Sequence, residues 1–183
     1  RAGKDDLHLR RAPLTALVEE AAEPHVDRGR EIRFRHGADG ANEARQPTVL
    51  RRPEIIHGLR NLIQNAVDFA TETVAVETLW DEARVTLRIM DDGRGFPPEM
   101  LSRIGEPFMR RRPAPPGPQR PGYEGMGLGL FIAKTLLERS GAELTFTNGP
   151  AGAIVEVSWP RAAMEAPGGA TAPALGENQP ITG

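Results

Sequence analysis

The stretch P-E-I-I-H-G-L-R-N-L-I-Q-N-A-V-D-F-A, from Pro53 to Ala70, decides the fold of this chain. Its apolar residues recur at helical spacing, which predicts an amphipathic helix that buries Ile55, Ile56, Leu59, Leu62, Ile63, Ala66 and Val67. Pro53 suits the first helical turn, where the missing N–H would be unpaired anyway, and Glu54 complements the positive end of the helix dipole. We therefore expect one helix with a single buried face.

Two asparagines, Asn61 and Asn65, share a face of this helix beside the buried stripe, with Asp68 one turn beyond. Asparagine is a middling helix former, so its repetition suggests a use other than helix formation. An amide oxygen is a hard ligand that can hold Mg²⁺ without adding negative charge near a phosphate chain. On these residues alone, two solvated side chains at the edge of a buried face explain the pattern equally well.

Length and composition exclude several classes of protein. The chain has 183 residues, of which 39% are hydrophobic and 26% charged, as expected for a soluble globular domain with its own core. The net charge of -2 gives no basic surface for nucleic acid, and the lack of cysteine excludes disulfides and thiolate chemistry. No apolar run approaches the roughly 20 residues needed to span a bilayer. Because the sequence begins at Arg1, we expect a piece of a longer protein.

The other elements are predicted from periodicity and from turn residues. Alternation of apolar and polar residues predicts short strands at 7–11, 32–36, 48–50, 74–79, 84–90, 143–147 and 154–159, with hairpins joining 74–79 to 84–90 and 143–147 to 154–159. Further helices are expected from Pro13 with Gly29 as a stop, from Pro98 to Ile104, and from about Leu128 to Gly141. The richness of 110–121 in proline and arginine predicts a long mobile loop, and the composition beyond Pro160 predicts a disordered tail.

Two glycine clusters flank that loop. In D-D-G-R-G-F, Asp91 stands where a strand stops, and Gly93 and Gly95 allow a sharp turn and the close approach of a flat ligand. A carboxylate fixed there can accept a hydrogen bond from an exocyclic amine such as that of adenine, although a plain Asp-Gly turn fits the same residues. The second cluster, G-M-G-L-G-L from Gly125, leaves N–H groups free at a helix start and so favours phosphate, with tight packing alone as the alternative. Neither matches a dinucleotide fingerprint or an EF-hand.

Four motifs in a fixed order carry a family resemblance: N-L-I-Q-N-A, D-D-G-R-G-F, G-E-P-F around Phe108, and G-M-G-L-G-L. They are similar to the N, G1, F and G2 boxes of the catalytic ATP-binding domain of sensor histidine kinases, in the superfamily shared with DNA gyrase, the Hsp90 chaperones and MutL. The resemblance covers about residues 7–160. A further resemblance, to the redox-responsive RegB/PrrB kinases, is carried by the sequences N-A-V-D-F-A and P-F-M-R-R-R and by residues 122–141.

The resemblance implies an α/β two-layer sandwich of the Bergerat type, in which a mixed, largely antiparallel sheet packs against about three helices. It also implies that the domain binds ATP and Mg²⁺. Asn65 would be the principal metal ligand with Asn61 assisting, and Asp91 would bind the adenine amine. The lid is expected at about residues 109–124. The other residues implied around the nucleotide are Gly93, Gly95, Phe69, Phe108, Gly125, Gly127, Leu128 and Gly129.

The resemblance implies that this domain donates the γ-phosphoryl group of ATP to a histidine elsewhere in the parent kinase. None of His8, His25, His36 and His57 stands in the H-E-x-x-x-P-L context of a phosphoacceptor, which points to a preceding dimerisation hairpin. A response regulator would be the next acceptor, and nucleic acid is not an expected partner. The parent protein is expected to be membrane-anchored and dimeric, with this domain cytoplasmic and monomeric as a fragment. The catalytic domain is expected at 1–160 and a disordered tail at 161–183.

Two other function classes remain open. An ATP-hydrolysing clamp of the gyrase, Hsp90 or MutL kind would carry a glutamate base four residues before the metal-binding asparagine, where this chain has Asn61. The fold could also serve as an interaction domain without nucleotide binding. Asp68 is a further departure, because many histidine kinases have lysine at that position.

Overall fold

A computed structural model describes residues 10–39, 44–104 and 126–167, with Met126 described in its backbone alone. The strands are β1 (Arg11–Pro13), β2 (Glu31–Ala38), β3 (Thr48–Leu50), β4 (Thr73–Trp80), β5 (Arg84–Asp91), β6 (Glu143–Asn148) and β7 (Ala153–Pro160). The helices are α1 (Leu14–Ala22), α2 (Pro53–Phe69), α3 (Pro98–Ile104), α4 (Met126–Arg139) and α5 (Arg161–Met164), with a 3₁₀ turn at Glu23–His25. The lid at 109–124, Phe108 and Gly125 lie outside the described residues.

The main sheet has five strands in the order β2-β4-β5-β7-β6. β2 pairs with β4 in parallel, whereas β4–β5, β5–β7 and β6–β7 are antiparallel. β1 and β3 form a separate antiparallel pair. The predicted α/β sandwich with a mixed, largely antiparallel sheet is therefore confirmed.

The helices cover one face of the sheet because every second residue of the central strands is apolar. Val74 and Val76 of β4, Leu87 and Ile89 of β5 and Val157 of β7 are each at most 1% exposed. The apolar stripe of α2 packs onto this face, as its periodicity predicts. α2 and α4 cross at Gly58, where an added Cβ would lie 2.6 Å from Cγ of Leu137. The buried stripe thus fixes α2 between the sheet and α4.

The opposite face of the sheet carries a row of paired charges. Arg35, Glu77, Arg88 and Glu156 lie in register across four strands. Neighbours in the row are ion-paired at N–O distances of 3.7, 3.5 and 2.9 Å. Pairs at a solvated surface add about 0 to 1 kcal/mol each, so the row keeps this face polar more than it stabilises the fold.

Three element boundaries differ from the sequence expectation. The helix after Pro13 stops at Ala22 and tightens into the 3₁₀ turn, and Gly29 instead supplies a φ of 83° in the turn before β2. The strand expected at 7–11 is described only from Arg11 and continues to Pro13. The glycine-rich helix starts at Met126, two residues before the expected Leu128.

The chain also stays ordered past Pro160, where we expected disorder to begin. Residues 161–164 form α5, Met164 is 2% exposed, and Glu165 bridges to Val49. One buried methionine and a hydrogen-bonding arginine are enough to hold a segment whose average composition is that of a tail. Residues 168–183 lie outside the description. In the described parts of the chain, no helix is both long and apolar enough to cross a membrane.

Candidate functional site

Asp91 is the last residue of β5, at the edge of the sheet. Its side chain is 6% exposed, and its Oδ1 accepts hydrogen bonds from the N–H groups of Gly93 at 2.8 Å and Ala153 at 3.4 Å. No described residue donates a hydrogen bond to Oδ2. Burial raises the pKa of the Asp91 carboxyl, and the neighbouring charge of Asp92 adds to this, while the two N–H bonds act in the opposite direction. One oxygen is thus fixed by the protein and the other is left for an external donor.

The glycines after Asp91 are required by close contacts. A Cβ on Gly93 would lie 2.1 Å from the carbonyl oxygen of Phe69, so the end of α2 and this loop touch through their backbones. Gly95 has a φ of 79°, in the left-handed region that favours glycine. The structure therefore brings together three of the predicted site residues, Phe69, Asp91 and Gly93.

Asp92 points to the opposite side of the loop. Its carboxylate accepts hydrogen bonds from the N–H groups of Thr71, Glu72 and Thr73 at 2.8 to 3.1 Å, and from the Thr73 hydroxyl at 3.0 Å. Although desolvation raises the pKa of Asp92, these bonds together hold it below its usual value. The adjacent aspartates therefore have different tasks: Asp92 ties the loop to the α2–β4 turn, while Asp91 faces the site.

Asn61 and Asn65 lie on α2, two turns and one turn before Phe69 respectively, and both are half-buried. Neither amide has a hydrogen-bond partner among the described residues. Two neighbouring amide oxygens that bind nothing in the protein suit a hard divalent cation, since they can replace its water ligands without stacking negative charge beside a phosphate. The residues present therefore fit Mg²⁺.

Asp68, at a position where many histidine kinases have lysine, forms an ion pair within the protein. Its Oδ1 lies 3.0 Å from Nη2 of Arg28, with both side chains partly exposed. The same arginine lies 3.3 Å from Nδ1 of His25. Burial is the larger cause that lowers the pKa of this histidine, and the charge of Arg28 lowers it further. Asp68 thus helps to anchor α2 to the segment after α1.

The described part of the second glycine cluster forms the first turn of α4. Gly127 and Gly129 are helical, Leu128 is 68% exposed, and a Cβ added to Gly129 would meet nothing within 4 Å. The first N–H groups of a helix lack intrahelical acceptors, so this turn can bind an anion. Packing within the described residues does not explain the glycine at 129, which weakens the alternative of tight packing alone.

Three supporting residues were missed by the sequence reasoning. Asn148 exchanges two hydrogen bonds with the backbone of Phe96, and a Cβ on Gly152 would lie 2.4 Å from the Asp91 carbonyl oxygen. Asp92 is the third. Alternation predicts only the hairpin that joins 143–147 to 154–159, and the sequence carries no signal that its turn lies against residues more than 50 positions earlier.

Comparison with known proteins identifies the family. A family described as histidine kinase-, DNA gyrase B-, and HSP90-like ATPase matches residues 51–163. The sensor histidine kinase RegB of Cereibacter sphaeroides is 57% identical over 173 residues, which cover 87% of this chain and 37% of RegB. The sensor protein CreC of Escherichia coli is 31% identical over 116 residues, covering 62% of this chain and 22% of CreC. The chain thus spans little more than a third of RegB.

Solved structures share the fold. The catalytic domain of histidine kinase ThkA matches with a TM-score of 0.59 at 22% identity, covering 82% of this chain and 96% of that domain. The histidine kinase domain of the Escherichia coli osmosensor EnvZ matches with a TM-score of 0.58 at 23% identity, covering 82% of this chain and 88% of that domain. Together with the residues matched by the family, these similarities show that the chain belongs to the histidine kinase-, DNA gyrase B- and HSP90-like ATPases, as an ATP-binding catalytic domain of the sensor histidine kinase type.

Proposed function

We propose that this domain binds Mg-ATP and presents its γ-phosphoryl group to a histidine on a dimerisation domain of the parent kinase, for later relay to a response regulator. The kinase would be a membrane-anchored, RegB-like sensor. This domain would lie in the cytoplasm and extend through the ordered segment at 161–167.

The single observation that carries the proposal is the divided environment of Asp91. Because Oδ1 is held by two backbone N–H groups, Oδ2 is fixed in place with no donor from the described residues. This oxygen is free to accept a hydrogen bond, and an exocyclic amine supplies a donor for it. Adenine has such an amine, whereas hypoxanthine carries an oxygen at the same position and would face the carboxylate with a second acceptor.

The remaining site residues would orient the phosphates. Asn65, with Asn61 assisting, would hold Mg²⁺, whose charge offsets the negative charge that develops on the transferring phosphoryl oxygens. The free N–H groups at the start of α4 would bind phosphate oxygens. Positioning and electrostatics of this kind account for most of the catalysis in phosphoryl transfer, so the domain needs no nucleophile of its own.

The described histidines are poorly suited as acceptors. His25 is 6% exposed, and His36 lies 3.3 Å from Glu19 within the helix layer. His57 is exposed on α2. An incoming imidazole from another domain is largely neutral at physiological pH and brings its own nucleophilicity.

A clamp ATPase is the second candidate, and it is disfavoured by Asn61. An amide cannot act as a general base, so water in this site should be poorly activated. A domain that has lost nucleotide binding is the third candidate, and the unpartnered oxygen of Asp91 argues against it.

The test is transfer from γ-labelled ATP to a separately produced dimerisation hairpin of the parent kinase. We expect Mg²⁺-dependent labelling of the hairpin and none of this chain alone. Rapid hydrolysis without the hairpin would favour the clamp ATPases. Failure to bind ATP with or without Mg²⁺ would favour the non-enzymatic alternative.

A further inference from the structure

The loop from Asp91 to Phe96, called here the Asp91 loop, lies against the turn between β6 and β7. Asn148, the last residue of β6, bonds to the loop at two points. Its Oδ1 accepts the N–H of Phe96 at 2.7 Å, and its Nδ2 donates to the Phe96 carbonyl oxygen at 2.8 Å. A side-chain amide here mimics a strand partner for one residue of the loop.

The same asparagine restricts the residue before Phe96. An added Cβ on Gly95 would lie 2.7 Å from Asn148 Oδ1, so the left-handed glycine and the asparagine fit closely. The Phe96 ring is 2% exposed and meets Phe146 of β6 edge to face, at a centroid distance of 6.0 Å. Backbone and side chain of Phe96 are therefore both fixed by β6.

The other end of the turn supports the start of the loop. A Cβ on Gly152 would lie 2.4 Å from the Asp91 carbonyl oxygen and 2.8 Å from its Oδ1. The next N–H, of Ala153, donates to that Oδ1. One turn thus contacts both ends of the loop that carries the base-recognising carboxylate.

The Asn148 side chain is not needed to close its own hairpin. The turn is closed by the N–H of Gly149, which donates to the Gly152 carbonyl oxygen at 2.8 Å. Both hydrogen bonds found for the Asn148 side chain go to Phe96. The bonds of this side chain therefore serve the Asp91 loop.

We propose that Asn148 is a positioning residue for base recognition, which holds Gly95 and Phe96 so that Asp91 Oδ2 meets the exocyclic amine of adenine. The inference rests on the proposed function. It adds that selectivity for adenine depends on a residue that does not touch the nucleotide. Asn148 acts through the loop and Gly152 through direct contact with Asp91.

The experiment compares the affinities for ATP and for inosine triphosphate, which has an oxygen in place of the amine. In Asn148→Ala we expect the ATP-to-ITP affinity ratio to fall about tenfold, the scale of one or two lost hydrogen bonds. The matched control is Thr147→Ala, a change at the exposed neighbour on β6 that should leave the ratio unchanged. A role confined to stability would lower the melting temperature without moving the ratio measured on folded protein.

A pair of glycines tests the same turn independently. Gly152→Ala forces a methyl group into the Asp91 backbone and should lower the ratio. In Gly149→Ala the close contact is with the flexible end of the Ile154 side chain, at 2.5 Å, and the nearest backbone atom, the Gly152 carbonyl oxygen, lies at an ordinary 3.8 Å, so the ratio should not change. If Asn148→Ala does not fold, Asn148→Asp serves in its place: it keeps the acceptor for the Phe96 N–H but sets a carboxylate oxygen against the Phe96 carbonyl oxygen, and it should also lower the ratio.

Two results would overturn the inference, and they are distinguishable. An unchanged ratio in folded Asn148→Ala, in a wild type that prefers ATP, would remove the positioning role and leave the proposed function intact. A wild type that does not distinguish ATP from ITP would remove the adenine assignment of Asp91 as well.

Discussion

At the scale of single residues, only one of the two oxygens of Asp91 accepts hydrogen bonds from described residues, and this determines what a substitution does. In Asp91→Asn, the N–H groups of Gly93 and Ala153 hold the amide oxygen at the Oδ1 position, which places the NH₂ group where Oδ2 was. A donor then faces the adenine amine. We expect a loss of about 1 to 3 kcal/mol in ATP binding, measured by calorimetric titration. Unchanged affinity would contradict the adenine assignment.

The raised pKa of Asp91 adds a pH dependence to the same comparison. As the pH falls, the carboxylate becomes protonated. ATP affinity should therefore begin to fall at a higher pH than it would with an aspartate of ordinary pKa. The free energy of unfolding should instead rise as the pH falls. Because the pKa of Asp91 is higher in the folded than in the unfolded protein, the buried carboxylate destabilises the fold at high pH, and protonation removes this effect. Asp91→Asn in the same buffers should lack the Asp91 contribution to both profiles, and subtracting its profiles corrects for titration of the phosphates and of the other carboxylates.

The role proposed for Asn61 and Asn65, holding Mg²⁺, can be tested separately from the role proposed for Asp91, binding the base. Asn65→Ala should abolish transfer to the hairpin and remove the dependence of ATP affinity on Mg²⁺, while Asn61→Ala should weaken both less. Gln64→Ala, at the exposed position between them, is the matched control. Equal Mg²⁺ dependence in Asn65→Ala and wild type would refute the metal assignment.

At the scale of elements, a substitution in the first turn of α4 should change helix stability and ATP affinity in opposite directions. Since a Cβ on Gly129 meets no described atom within 4 Å, Gly129→Ala should raise helix stability by up to about 1 kcal/mol. The same methyl group should obstruct phosphate oxygens and lower ATP affinity. Thermal unfolding and titration of one sample measure both effects, with Gly37→Ala, also in open space, as control. Wild-type affinity in Gly129→Ala would mean that no phosphate approaches this turn.

The elements around Asp91 also anchor its loop on two sides. Asp92 fastens the loop to the α2–β4 turn, and Asn148 fastens it to β6. Each anchor satisfies backbone groups that a loop would otherwise leave to water. Two anchors on opposite sides give a positioned carboxylate at the end of a strand without a long regular element after it.

At the scale of the whole molecule, the segment after β7 joins parts that are distant in sequence. The Arg161 side chain, 13% exposed, donates to the carbonyl oxygens of Asp81 and Arg45 and pairs with Glu165. Ala166 donates to the Thr48 carbonyl oxygen, and Arg11 of β1 donates to that of Pro167. The segment therefore fastens the β4–β5 turn to the small β1–β3 sheet.

Arg161→Ala should lower the free energy of unfolding by about 1 to 2 kcal/mol, because the carbonyl groups of Asp81 and Arg45 lose a charged donor. ATP affinity should be unchanged, since Arg161 lies near Arg84, at the far end of β5 from Asp91 and roughly 23 Å away along the strand. Urea unfolding and titration measure the two quantities. Arg84→Ala, an exposed arginine that bonds to Ser158, should cost at most about 0.5 kcal/mol. Equal stability of the two variants would show that the segment is not a structural tie.

The sequence by itself determined the elements and the motifs. Helical periodicity places α2, and alternation places β4 and β5, because each pattern reports a buried face of one local segment. The order of the four motifs predicts the family, and the roles proposed for Asp91 and Gly93 come from that resemblance. Each of these patterns depends only on residues that are close in the chain, so a single sequence is enough to show it.

Only the tertiary structure decided which distant residues support the site. Asn148 meets Phe96 across 52 positions, and Gly152 lies against Asp91, through contacts that no local pattern encodes. The parallel pairing of β2 with β4 likewise depends on how α1, α2 and the sheet pack together. Met164 is buried although its surroundings read as a tail, since one apolar side chain and one well-paired arginine offset the entropy of ordering a short segment. Side-chain identity thus fixes what each segment can form, while packing fixes which segments meet.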